Sequence, residues 1–163
     1  MTDAVGGAQE TEQDVTQKRF IQYPSQHGVF HFLDDVLSDH KSVGLLHGPE
    51  HSGKSDLIEQ IAAKVKERAA VAVVDGTRLK PTGFLSAALA RFGYDLELAS
   101  VDELLNMLCV FAVQQTRKRE APVLILENFN HMYPSALCLL CKLATLKVNE
   151  RFALRIVLIA DGD

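Results

Sequence analysis

The chain has 163 residues, 47% hydrophobic and 23% charged, with 17 Lys and Arg against 21 Asp and Glu. That size and balance describe one globular unit rather than two, and exclude a wholly disordered chain. No apolar run reaches the roughly 18 residues of a membrane span, residues 1–18 lack the apolar core of a secretory signal, and a net charge of −4 argues against a broad electrostatic grip on nucleic acid.

In chain order, residues 1–19 are polar and acidic, carry Gly6-Gly7 and show no apolar period, so they are expected to form a flexible tail before a domain at 20–163. Val29, Phe30, Leu33, Val36 and Leu37 recur at helical spacing and predict a helix near 25–38. Val43 to His47 reads as a short strand. Leu57, Ile58, Ile61, Ala62, Val65 and Ala69 mark one face of the helix after it. Val71 to Asp75 is a second apolar strand, closed by Gly76. Pro81 opens a helix that Gly93 stops. Ser100 and Glu103 have the spacing of a capping box, and the helix they open runs to about Arg119. Val123 to Leu126 is a third strand. Pro134 starts a helix expected to reach about Val148, and Arg155 to Ala160 is a fourth strand. Apolar strands alternating with helices describe a parallel sheet covered on both faces.

Cys109, Cys138 and Cys141 are an odd set without a signal peptide, which argues for a reducing, cytoplasmic setting and against a disulfide framework. Cys138 and Cys141 form a C-x-x-C, but in an apolar helical stretch without a second ligand pair. They are expected to be small buried residues, with a redox or metal role as the alternative.

The most specific signal is Gly48-Pro49-Glu50-His51-Ser52-Gly53-Lys54-Ser55, a full G-x-x-x-x-G-K-[ST] Walker A pattern between a strand and a helix. Loop and helix N–H groups in that context hold phosphate oxygens. Lys54 is expected to reach the β- and γ-phosphates and Ser55 to coordinate Mg²⁺, with Asp56 next in the helix. Glu50 and His51 stand where a carboxylate must face solvent and where a glycine is more usual. The third strand ends in Glu127-Asn128, where P-loop ATPases commonly carry Asp-Glu. That strand is expected to lie beside the P-loop strand, with Glu127 serving the metal. Asn128 can orient a water but cannot act as a general base, so hydrolysis is expected to be slow or absent, and Asn128→Glu to raise it. The alternative is a polar strand end and nothing more. The fourth strand is expected to neighbour the P-loop strand. Asp161, just after it, is a candidate γ-phosphate or water sensor. Arg151 and Arg155 flank its entry as surface residues or as arginine fingers across a subunit boundary.

On these residues the chain resembles the AAA+ ATPase domain of the general-secretion-pathway protein A (ExeA/GspA-like) group and the related N-terminal ATPase domain of DamX-like cell-division proteins. The resemblance covers residues 20–163. Its anchors are Tyr23-Pro24-Ser25-Gln26-His27, the loop at 48–55, the helix at 85–93, the third strand with Asn130-His131-Met132-Tyr133-Pro134, and the run 143–159. It implies an α/β P-loop NTPase three-layer sandwich with a parallel sheet, ATP and Mg²⁺ binding, self-association, and work with envelope machinery such as secretin assembly, with recruitment to the inner membrane. The implied roles fall on Lys54, Ser55 and Glu127. Asn128 departs from the family's usual catalytic glutamate, His51 from its glycine and Asp161 from its amide, which bears on turnover rather than fold.

Such sheets usually place the P-loop strand between the fourth strand and a fifth, and a helical lid follows. Neither is legible here, so the P-loop strand is expected to be an exposed apolar edge, covered by a partner subunit or by further chain. Two other readings stay open: an interaction scaffold that no longer binds nucleotide, and a DNA-associated AAA+ loader or regulator.

Overall fold

The computed structural model describes residues 24–38, 41–49, 52–95 and 99–162; the expected tail at 1–19, Tyr23, Glu50 and His51 lie outside them. The first helix, α1 (Pro24–Leu37), matches the helix expected near 25–38 to within one residue at each end. The chain continues as β1 (Val43–Pro49), α2 (Lys54–Lys66), β2 (Val71–Asp75), α3 (Pro81–Arg91), α4 (Val101–Lys118), β3 (Val123–Glu127), α5 (Pro134–Ala144), the short strands β4 (Lys147–Val148) and β5 (Arg151–Phe152), and β6 (Arg155–Gly162).

Among the described residues the main sheet has four parallel strands in the order β1-β6-β3-β2. The last strand is thus the neighbour of the P-loop strand, as expected. The third strand is not: β6 lies between β3 and β1. The apolar content of the strands explains the arrangement. Val123 to Leu126 are all at most 1% exposed, which only an interior strand with both faces covered allows. Pleating divides these residues between two cores. Leu124, Leu126 and Ile156 pack with Phe84, Leu89, Leu104 and Leu108 beneath α3, α4 and α5. Val123, Ile125, Val157 and Ile159 pack with Val36, Leu57, Ile58 and Ile61 beneath α1 and α2.

At the sheet's edge, β1 leaves Val43 38% and Leu45 54% exposed, the apolar edge that the strand count implied. The capping box of α4 also forms: the Ser100 N–H donates to the Glu103 carboxylate at 2.8 Å, and the Glu103 N–H donates to Ser100 Oγ at 3.3 Å. The N–H bond from Ser100 holds Glu103 below the usual carboxylate range.

The last expected helix is shorter than its apolar pattern predicts. It stops at Ala144, and Lys147 pairs with Phe152 and Val148 with Arg151 in an antiparallel hairpin. Asn149 and Glu150 turn it with φ of 49° and 64°, the two left-handed residues that a tight hairpin of matching twist requires. Asparagine tolerates that region well. The hairpin reverses the chain, and Ala153 N–H donates to Leu146 O at 2.8 Å before β6 begins.

Candidate functional site

The carboxyl ends of the parallel strands gather the expected site residues. β1 ends at Pro49, and Gly53 caps α2 with φ 80° and ψ 17°. That left-handed conformation is accessible to glycine without steric cost. No side chain of Gly53 can cap the helix, and Asp56 places an acid in its first turn. The first intrahelical bond runs from Leu57 N–H to Gly53 O at 3.1 Å. Lys54 folds back over the loop. Its ammonium donates to Gly48 O at 2.6 Å and Pro49 O at 2.5 Å, with Ser52 Oγ at 3.5 Å. Ser55 and Asp56 are exposed on the first turn. The lysine amine thus sits on the carbonyls at the carboxyl end of β1.

Across the sheet, Leu126 pairs with Leu158, so Glu127 stands level with Ile159 of β6, while Gly48 of β1 pairs with Asp161. Glu127 is half-buried and lies two strands from the loop, a lateral backbone distance of about 10 Å at ordinary strand spacing. Asp161 does not follow the last strand. It lies within β6, directly opposite Gly48, because parallel pairing with β1 carries the strand through to Gly162.

Asn128 is placed by a different neighbour. It adopts φ 51° at the start of a 3₁₀ turn over Phe129–His131, and its amide donates to Asp75 Oδ1 at 3.1 Å. The same carboxylate oxygen accepts from the Thr77 N–H at 3.0 Å and from the Thr77 hydroxyl at 2.7 Å. The Thr77 N–H bond first, then the Thr77 hydroxyl and the Asn128 amide, hold Asp75 below the usual carboxylate range. Asn128 is thus engaged towards β2, on the far side of β3 from the loop. Sequence reasoning passed over Asp75 as a strand end. Its signal was Asp75-Gly76-Thr77, an acid whose carboxylate binds the backbone two residues on.

The two arginines divide. Arg151 lies half-buried in β5. Arg155 is not a surface residue: it is 3% exposed at the amino end of β6, the end of the sheet away from the loop. Its guanidinium lies 3.6 Å from Glu120, which also pairs with Arg68. These residues, with Asp34 and Lys64, line a cavity of about 460 Å³. Burial there removes Arg155 from any role as an exposed finger. The cysteines depart from expectation as well: Cys109 is half-buried, but Cys138 and Cys141 are exposed.

A four-stranded parallel sheet flanked by helices on both faces, with a glycine-turned loop joining its P-loop strand to a helix, defines a P-loop NTPase-type domain of AAA+ architecture. The chain belongs to the AAA domain family, whose pattern it matches over residues 37–162. Among solved structures it is similar to Cdc6p from Pyrobaculum aerophilum, at 18% identity and TM-score 0.68 over 87% of this chain and 40% of that one. Similar too are Drosophila ORC bound to DNA, at 16% identity and TM-score 0.62 over 86% and 38%, and the Aeropyrum pernix ORC2 protein in its ADPNP–ADP complexes, at 16% and 0.59 over 88% and 43%. At such identities the likeness is one of fold, and the chain spans about two-fifths of the length of these structures. No curated protein matches the sequence. No described helix is long and apolar enough to cross a membrane.

Proposed function

We propose that this chain is a nucleotide-binding AAA+ module that takes ATP with Mg²⁺ and acts as an assembly switch with slow or absent hydrolysis. The observation that carries this reading is the strand and helix that flank the Walker A pattern, with Gly53 left-handed and the Lys54 ammonium within 2.6 Å of Gly48 O. The residues fit the group. Gly48, Pro49, Glu50, His51, Ser52 and Gly53 are the residues that would cradle the phosphates. Lys54 supplies the positive charge, Asp56 sits in the same first turn, and Ser55 and Glu127 are the oxygen donors for the metal. Bound ATP supplies a phosphoanhydride whose occupancy or loss changes the charge in the loop. The chain's own part is to offer backbone N–H groups and to turn the Lys54 ammonium from its carbonyl partners towards anionic oxygen. Asn128, bonded to Asp75, holds no proton-accepting group at the loop, which is why binding is proposed to outlast turnover. Asp161, opposite Gly48, is the residue best placed in the backbone register to respond to occupancy.

The test is thermal denaturation with Mg-ATP. Ligand at about 100 times Kd adds about 2.7 kcal/mol, or roughly 5–11 °C for a chain of this size. Lys54→Ala is expected to abolish the shift. No shift with any nucleoside triphosphate at millimolar concentration would instead leave an interaction scaffold on an AAA+ fold. Work with envelope secretion or division machinery rests on the sequence resemblance alone. A DNA-associated regulator is supported by the fold shared with Drosophila ORC bound to DNA, and opposed by the net charge of −4. Salt-dependent retention on DNA would decide for it.

A further inference from the structure

The C-x-x-C motif plays no part in the nucleotide reading. Both its cysteines are exposed on α5, while Leu139 and Leu140 between them are buried. Cysteine is among the residues most often buried, so two on one solvent face are not explained by packing. Positions three apart on a helix share a face, with Cβ atoms about 5–6 Å apart. A disulfide asks for about 3.5–4.5 Å between those atoms, so intact α5 holds the pair too wide for one. Two metal–thiolate bonds of about 2.3 Å placed end to end span about 4.6 Å, comparable to the Cβ separation of positions three apart on a helix.

The ligand count narrows the metal. Among the described residues, no group of three or more His, Cys, Asp or Glu could hold an ion. Two sulfurs without further ligands do not make a tetrahedral zinc site or an iron–sulfur cluster. They suit a soft monovalent ion that accepts two thiolates. Cys109 provides the internal contrast: it is half-buried on α4, and burial pushes its thiol pKa up.

We infer that Cys138 and Cys141 form a dithiolate site for a two-coordinate soft monovalent metal ion, of which copper(I) is the representative. On binding, each thiol releases one proton to solvent, two sulfur–copper bonds form, and the copper stays in its +1 state. The experiment uses the full chain, reduced and without oxygen, titrated against copper(I) held by a coloured chelator. The expected result is withdrawal of one copper per monomer. Cys138→Ser and Cys141→Ser should each weaken the apparent affinity by about 100-fold or more, since the second sulfur acts at high effective concentration. Cys109→Ala should leave it unchanged. Copper should also protect Cys138 and Cys141, but not Cys109, from alkylation in the unmutated chain, a readout that does not depend on any variant folding. Single variants that bind like the parent, loss of binding in Cys109→Ala with the other two thiols unprotected, or one copper shared between two chains would overturn the assignment. Nucleotide plays no part in these readouts, so their failure leaves the ATP reading untouched.

Discussion

Gly76→Ala tests the close approach that holds the exit of β3 in place. Gly76 is buried where β2 ends, and its N–H donates to Glu127 O at 2.7 Å. A Cβ there would lie 2.9 Å from Glu127 O, 2.9 Å from Met132 Cγ and 3.2 Å from Asn128 O. The methionine can yield; the two carbonyls belong to the backbone that carries the candidate metal ligand. Relieving the clash means moving that backbone by a few tenths of an ångström, and overpacking of this kind costs about 1–3 kcal/mol. The alanine also reduces unfolded-state entropy, which returns about 0.4–1 kcal/mol. The net loss of about 1–2 kcal/mol should lower Tm by roughly 2–8 °C at 2–4 °C per kcal/mol. Gly28→Ala is the control: nothing lies within 4 Å of its Cβ, it sits inside α1, and the change should raise Tm. Both variants are compared by thermal denaturation, with and without Mg-ATP, and the Mg-ATP shift should shrink only in Gly76→Ala. If Gly76→Ala melts at or above the parent temperature while Gly28→Ala behaves as stated, the tight packing of Gly76 on the Glu127 backbone is wrong.

Three further outcomes follow from the same geometry. Asp75 has a lowered pKa in the folded state, so its contribution is present above the unfolded value of about 3.9 and is lost as pH falls through the folded one; urea midpoints of Asp75→Asn against the parent should differ at pH 7, and the difference should shrink as pH is taken progressively below the unfolded value. Asn128→Glu replaces an amide that donates to Asp75 at 3.1 Å with a like charge, at φ 51°. It should therefore lower stability without increasing phosphate release, contrary to the gain that sequence alone anticipates, and a clear rise in release would show that residue 128 reaches the loop. Leu45, 54% exposed on the edge strand, should drive association of the chain through β1; Leu45→Lys should shift sedimentation towards monomer, and a parent chain that is already a dilute monomer would refute the edge argument.

What the residue order determined by itself was local. Strand and helix positions followed from apolar periodicity, the capping box from Ser100 and Glu103, and the strand and helix on either side of the Walker A pattern from the apolar runs that flank it. These features depend on neighbours a few residues apart, so a linear pattern contains them. Burial of the interior strand β3 on both faces was legible too, because its fully apolar run leaves no solvent side; apolar β1, by contrast, exposes Val43 and Leu45.

Contacts between distant segments were decided only by the tertiary structure. The apolar run after Pro134 carries helical periodicity through to Val148, yet pairing of Lys147 with Phe152 ends the helix early. Asn128 reads as the residue after an acid, and only the pairing of β2 with β3 brings Asp75 within reach of its amide. Arg155 reads as a surface charge until Glu120, at the entry to β3, closes over it. Cys138 and Cys141 sit in an apolar string, but burial on a helix depends on which side meets the sheet, and α5 turns Leu139 and Leu140 inward. In each case the deciding energy is a contact between residues far apart in the chain, and no local spacing encodes which distant partner a side chain will meet.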